Sequence, residues 1–185
     1  IFSQMEIEVK VKLDNVDKLK KSIEKLGATW SVTKTQVDAY YKYHTQVDEI
    51  ERPGSFILRV RRDAKNKFTY KAFTDRRGVW EELETGIEDP DQMEKILQKT
   101  GFVNVLILHK KRTSTKYAQF SLEIDEIDEL GDFLEAEIIG EDGEKLQAEI
   151  KEFFLSLGLK PENIDRRGYP EMYFEARGKK YEGQN

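Results

Sequence analysis

The sequence predicts an α+β fold in which an antiparallel sheet closes into a barrel and helices pack on its outside. Three observations carry this expectation. Three stretches place apolar residues at helical spacing, and each stops at a glycine. Most of the rest alternates apolar and charged residues with period two. The charged faces of those strands hold almost no uncharged polar residue, unlike an ordinary solvated sheet face. Closing the sheet brings alternate residues of every strand into one interior.

The first helix is expected over residues 16–26, with Asp14 or Asn15 as N-cap. Val16, Leu19, Ile23 and Leu26 form its apolar stripe, and Gly27 stops it. The second begins at Asp89-Pro90, a cap followed by proline at the first helical position. It should bury Met93, Ile96 and Leu97 and stop at Gly101. The third is expected over residues 143–157, burying Leu146, Ile150, Phe153, Phe154 and Leu157 before Gly158.

In the first strand Ile7, Val9, Val11 and Leu13 oppose Glu6, Glu8, Lys10 and Lys12. Leu58 and Val60 oppose Arg59 and Arg61. Lys110 shares a face with Arg112. Leu122 and Ile124 oppose Glu123 and Asp125, and Leu134, Ala136 and Ile138 oppose Glu135 and Glu137. A Glu-x-Glu strand followed by a helix and a glycine recurs three times, with 21, 19 and 23 residues from first glutamate to glycine. The copies start 76 and 53 residues apart, which fits a repeated unit in one sheet and not a linear solenoid.

Composition narrows the chemistry. The 185 residues are 36% charged and 38% hydrophobic, and the apolar runs are short, so a membrane span or signal peptide is not expected. No linker-like stretch divides the chain, so one domain over residues 1–185 is expected, with Ile1 to Gln4 a possible extension without a role. Cysteine is absent, which excludes disulfides, thiol catalysis and thiolate metal sites. Two histidines cannot build a histidine cage, so any metal must be held by oxygen, as Mg²⁺, Mn²⁺ or Ca²⁺ are. A net charge of −5 argues against a basic surface for double-stranded nucleic acid. The Lys/Glu-rich, Cys-free composition suits a thermophile's cytoplasm, so a cytoplasmic protein is expected.

The charged faces hold seven acids, Glu6, Glu8, Glu82, Glu84, Asp125, Glu135 and Glu137. They hold seven bases, Lys10, Lys12, Arg59, Arg61, Lys71, Lys110 and Arg112. Like charges two residues apart on one face repel. Carboxylate pairs call for a divalent cation, and Lys/Arg pairs call for a polyanion. A hard cation bridging carboxylates to phosphate oxygens satisfies both, so the interior reads as a metal–polyphosphate site. A three-residue hairpin loop, Ala64-Lys65-Asn66 with Asn66 left-handed, would set Arg59 opposite Lys71 and keep both inside.

The motifs also run in a familiar order. Glu6-x-Glu8-x-Lys10 resembles the E-x-E-x-K signature of the CYTH family, the triphosphate tunnel metalloenzymes. Gln36-x-Asp38-x-Tyr40-Tyr41, Leu58-Arg59-Val60-Arg61, Thr69-Tyr70-Lys71, Glu82-x-Glu84 and Lys110-Lys111-Arg112 resemble its successive strands. Asp125 with Leu130-Gly131-Asp132-Phe133-Leu134-Glu135-Ala136-Glu137 resembles its D…L-G-x-F-x-E-x-E block, and Arg167-Gly168-Tyr169 its closing segment. The resemblance implies an eight-stranded antiparallel triphosphate tunnel with Mg²⁺ or Mn²⁺. It implies Glu6, Glu8, Asp125, Glu135 and Glu137 as metal ligands or their supports. Lys10, Arg59, Arg61, Lys71, Lys110 and Arg112 would hold phosphates, and Lys10, Glu82 and Glu84 would serve catalysis. Trp80 departs from it, since many members carry a basic residue there.

The implied activity is class IV adenylyl cyclase-like, turning ATP into cyclic AMP and pyrophosphate. The alternatives are hydrolysis of thiamine triphosphate or tripolyphosphate, and polyphosphate binding without catalysis. A homodimer stays open. His44 and His109 read as ordinary polar residues, Gly140-Glu141-Asp142-Gly143 as a turn, and Tyr40, Tyr41 and Tyr43 as wall packing. Asp48-Glu49-Ile50-Glu51 reads as a loop at the mouth, and Arg177-Gly178-Lys179-Lys180 as a solvated end.

Overall fold

The structure is a computed structural model and describes residues 5–48 and 52–177. Residues 1–4, the acidic segment from 49 to 51 and the tail beyond Arg177 lie outside the described residues.

Eight antiparallel strands close into a ring. In hydrogen-bonded order they are β5 (Val79–Gly86), β4 (Lys67–Phe73), β3 (Phe56–Arg62), β2 (Lys34–Tyr43), β6 (Phe102–Tyr117), β7 (Phe120–Ile127), β8 (Gly131–Gly140) and β1 (Met5–Lys12). β1 then returns to β5, with Glu6 paired to Trp80 and Ile7 to Val79. The Glu8 N–H extends this seam by donating to the Gly78 carbonyl at 2.9 Å. Gly78 has φ +77°, and a Cβ there would stand 2.7 Å from the Glu8 carbonyl oxygen. The seam therefore needs a glycine for its conformation and for its close approach. A short ninth strand, β9 (Ile164–Asp165), pairs along β1.

Strand parity assigns the two faces as the alternation predicts. Ile7, Val9, Val11, Leu122, Ile124, Leu134 and Ala136 point outward and are buried under α1 (Val16–Glu24) and α3 (Gly143–Ser156). Leu58, Val60, Ala39 and Tyr41 point outward under α2 (Pro90–Lys99). Each of these helices starts at a side-chain cap. Asn15, Asp89 and Asp142 accept from the N–H of Lys18, Gln92 and Lys145 at 2.8, 2.9 and 3.1 Å. The turn reading of Gly140 to Gly143 holds, because Asp142 there is the α3 cap.

The helical stripes are narrower than their periodicity predicts. Leu19 and Ile23 are buried, but Leu26 lies past the end of α1 and is 44% exposed. On α2 Leu97 is buried, whereas Ile96 is 55% exposed. On α3 Ile150 and Phe154 carry the contact, and Leu146, Phe153 and Leu157 pack at its margin.

The interior departs from expectation in two places. The β3–β4 hairpin pairs Arg59 with Thr69, Arg61 with Lys67 and Ile57 with Lys71. Its turn is set by Asp63, whose carboxylate accepts from the Lys65 N–H at 2.7 Å, and Asn66 is not left-handed. The register moves by two residues, so parity survives and Arg59 and Lys71 still face inward. A fourth helix, α4 (Tyr169–Ala176), stands in one end of the ring, an end that the strand pattern alone leaves open to water. There the inward face turns apolar. Ile57, Leu106, Leu108, Ile127 and Phe133 receive Tyr169 and Met172.

Gly27 and Gly78 separate conformational strain from close approach. Gly27 has φ +92° with nothing within 4 Å of the place a Cβ would take, so Gly27→Ala should cost about 1–2 kcal/mol. Gly78→Ala adds the clash at the seam and should cost clearly more. Urea unfolding of both variants checks this, and equal losses would show that the seam tolerates a side chain.

Candidate active site

The inward residues of the ring converge on a cavity of about 260 Å³. Glu6 and Glu8 from β1, Arg59 and Arg61 from β3, and Lys71 from β4 line it. Glu82 and Glu84 from β5, Lys110 and Arg112 from β6, and Glu135 and Glu137 from β8 complete the expected set. Lys10 and Asp125 belong to the same face but are buried behind the lining, at 1% and 0% exposure. Lys12 falls outside the cavity, at the exposed end of β1, with its ammonium 5.9 Å from the Phe133 ring centre. Neither histidine takes part. His44 Nδ1 lies 3.1 Å from the Gly101 carbonyl oxygen, and His109 points outward into solvent.

The wall is a ring of crossed charges. Lys71 Nζ touches three carboxylates, Glu6 at 3.0 Å, Glu8 at 2.8 Å and Glu82 at 3.2 Å. Arg59 donates to Thr69 at 3.1 Å, Glu84 at 3.2 Å and Glu82 at 3.4 Å. Arg61 grips Asp38 with two bonds of 2.7 and 2.8 Å. Lys110 lies 3.5 Å from Asp38 and 3.4 Å from Asp125. Arg112 pairs with Asp125 and Glu123 and reaches Glu135 at 3.3 Å. Lys10 pairs with Glu8 and reaches Glu135 at 3.2 Å.

Burial and neighbours push these groups apart in acidity. Burial raises the Glu137 carboxyl to about 8, helped by the carboxylates of Glu6, Glu135 and Glu123. Burial alone would also raise Glu135, but Lys10, Arg112 and Lys110 hold it well below the usual carboxylate range. Glu82 likewise falls to about 2, because Lys71 and then Arg59 overcome its burial. Burial, with Arg112 beside it, lowers Lys110 to about 8. Glu137 therefore marks an excess of negative charge, with no basic side chain within ion-pair distance among the described residues.

That surplus suits a cation, and the donor set is all carboxylate, as hard divalent ions prefer. Among the described residues no three acids already share a ready ligating arrangement. The reason is visible: Glu6 and Glu8 are turned onto Lys71, and Glu8 and Glu135 onto Lys10.

Several residues at the site were given no metal, phosphate or catalytic role by the motif reading. Asp38 is fully buried and anchors Arg61, and Glu123 lines the cavity beside Arg112. Both sit on faces whose alternation is visible in the sequence, Asp38 with Gln36 and Tyr40, and Glu123 with Asp125. From α4, Tyr169 lies under two ammonium groups, Lys10 at 4.9 Å and Lys110 at 5.5 Å from its ring centre. Trp80 lines the seam end with Lys71 5.0 Å from its ring centre.

Comparison with known proteins matches this geometry. The model of the CYTH domain covers residues 4–169. The chain belongs to the CYTH family. It is 33% identical over 174 residues to a Methanocaldococcus jannaschii protein that bears a provisional adenylate cyclase name, covering 91% of this chain and 98% of that one. The solved PH1012 protein of Pyrococcus horikoshii is 30% identical, with a TM-score of 0.78 over 90% of this chain and 98% of its own. A Hippeastrum protein named as an adenylyl cyclase with a dominant triphosphatase activity is 18% identical and shares the fold, with a TM-score of 0.64 over 98% of this chain and 100% of its own. The CYTH fold thus accounts for the eight-stranded ring. Among the described residues no helix is long and apolar enough to cross a membrane.

The Glu137 carboxyl gives a pH dependence of known sign. Between about 4.5 and 8 the folded protein holds a proton there that the unfolded chain has released. This group therefore lowers stability as pH rises through that window. In EDTA, Glu137→Gln should flatten the loss, read as urea midpoints at about pH 5 and about pH 8.5. Parallel pH slopes in the two proteins would refute the assignment.

Proposed function

We propose that this CYTH protein is a divalent-metal-dependent enzyme that holds a triphosphate chain in the ring cavity, class IV adenylyl cyclase-like, converting ATP to cyclic AMP and pyrophosphate. The observation that carries the reading is the cavity wall itself. Arginine and lysine side chains from β3, β4 and β6 share one small cavity with the carboxylates of Glu6, Glu8, Glu135 and Glu137. A polyanion matches the first set and a hard cation the second.

In this reading Arg59, Arg61, Lys71, Lys110 and Arg112 bind the phosphates. Arg61 and Arg112 are oriented by Asp38 and Asp125, so their guanidinium planes are fixed before substrate arrives. Glu6, Glu8, Glu135 and Glu137 would hold Mg²⁺ or Mn²⁺, with Asp125 supporting them through Arg112. The ion would supply charge neutralisation at phosphoryl oxygens. Lys10 positions Glu8 and Glu135 from behind the lining. Glu82 and Glu84 orient Arg59 and, with it, the phosphate it holds. Such a site works by positioning and electrostatic complementarity and needs no covalent nucleophile.

Hydrolysis at the terminal phosphate is the second reading. The cavity volume of about 260 Å³ favours it, being below the roughly 300–1,000 Å³ of sites that enclose a drug-sized ligand. A phosphate chain fits inside, whereas a nucleoside must extend toward the mouth. The Hippeastrum protein, named for a dominant triphosphatase activity, has the same fold, so the fold alone does not select cyclisation.

Incubation with Mg²⁺ or Mn²⁺ and ATP, thiamine triphosphate or tripolyphosphate decides between them. Cyclic AMP with pyrophosphate supports cyclisation, free phosphate supports hydrolysis, and no product leaves a binder. EDTA should abolish turnover. Arg112→Ala and Glu135→Gln should each lower kcat/KM by about 10²-fold or more. Full activity in EDTA would remove the metal from the proposal.

A further inference from the structure

Lys71 occupies an unusual place for a phosphate-binding residue. Its ammonium stands at the β1–β5 seam, where Glu6 and Glu8 from β1 meet Glu82 from β5. The ammonium donates hydrogen bonds to Glu8 at 2.8 Å and Glu6 at 3.0 Å and forms an ion pair with Glu82 at 3.2 Å. Glu6 and Glu8 are the same carboxylates that the functional reading gives to the metal. A divalent cation needs their oxygens at about 2.0–2.6 Å. An ammonium already seated 2.8–3.0 Å from those oxygens occupies that space. The two cations exclude each other.

We infer that Lys71 is a tethered place-holder cation, which satisfies the seam carboxylates until a triphosphate draws its ammonium away and opens them to the metal. The inference rests on the reading of Glu6 and Glu8 as metal ligands and goes beyond it by assigning an order and a linkage. The four-carbon stem of lysine lets the ammonium move while its strand stays fixed. The cavity gives it a second set of partners only when a polyanion is present. Metal and triphosphate then bind as a linked pair, each favouring the other, because both need Lys71 in its second position. The empty protein needs the first position. Without a cation there, three carboxylates face one another at a seam where Glu6 and Ile7 supply the β1–β5 pairs.

Mn²⁺ alone, read by the loss of its free electron paramagnetic resonance signal, probes the place-holder without any turnover. Wild type should bind Mn²⁺ weakly. Lys71→Met should bind it about tenfold more tightly or better, within the usual range of two-site coupling. The same variant should melt lower than wild type in EDTA and recover on adding Mn²⁺. Lys67→Met, which removes a cavity cation that touches Glu84 outside the cage, should show no such gain. If Lys71→Met does not fold, Lys71→Met with Glu82→Gln relieves the repulsion and should still show the gain. Equal Mn²⁺ affinity in wild type and the Lys71 variants overturns the place-holder role, as does an equal gain in Lys67→Met. Tripolyphosphate binding to wild type in Mn²⁺ is measured separately. Its loss would remove the functional reading, while its presence with no Lys71 effect would remove this inference alone.

Discussion

Buried charge must be compensated within reach, and the arrangement of this ring follows from that. An isolated ion in a low-dielectric interior costs several kcal/mol even after relaxation. The basic and acidic side chains of the lining, with Lys10, Asp38 and Asp125 behind it, sit on the inner faces of the strands. They persist because each base reaches an acid on another strand. Arg61 ties β3 to β2, Arg112 ties β6 to β7 and β8, and Lys71 ties β4 to both β1 and β5. The polar interior therefore staples the ring across strand boundaries, while the outer face supplies the apolar core. Replacing one member strands its partners, so these residues hold the ring together as well as lining its cavity.

The same constraint explains α4. Away from the charges the inward face of the ring becomes Ile57, Leu106, Leu108, Ile127 and Phe133. Open to water, that apolar rim would lose its burial, and α4 covers it with Tyr169 and Met172. Tyr169 stands at the boundary between the two zones. Its ring packs edge-on against Phe133 at 5.6 Å and offers its π face to Lys10 and Lys110. Glu171, in the first turn, pairs with Arg77 at 2.6 Å and ties the helix to the loop that feeds the seam.

Much of this was legible because period two is a strong rule. Once Glu6, Arg59 or Glu135 is inside, Ile7, Val60 and Leu134 must be outside, whatever the register. Two caps were nearly as legible, since Asn15 and Asp89 are short acceptors at expected helix starts, whereas Asp142 was read only as part of a turn. Register was not, because a shift of two residues keeps every side chain on its face and leaves no trace in the alternation. Asp63 decided it through a local bond to the Lys65 N–H. Leu26 and Ile96 misled because apolar spacing reports a helix face, not whether a partner reaches it. Tyr169 to Ala176 hid for a related reason. A short helix that plugs a ring from inside lacks the one-sided stripe of a helix lying on a sheet, and Glu171 is buried on it beside Met172.

Charge segregation links the fold to the chemistry. A ring that needed its charges only for stability would end with every carboxylate matched. Here Asp38, Glu82 and Glu135 are held strongly acidic by bases, yet burial and other carboxylates push the Glu137 carboxyl up to about 8. Moving a proton onto Glu137 is the protein's own way of lowering a local negative surplus. In the same cavity burial, helped by the Arg112 charge, lowers Lys110 to about 8, so it gives up its proton more readily than a free lysine. One small cavity thus holds a carboxyl that keeps its proton more tightly than usual and a lysine that keeps its own more weakly. A ligand with a cationic and an anionic part relieves both, which neither a simple anion nor a metal ion alone can do. A metal–triphosphate has that shape of charge.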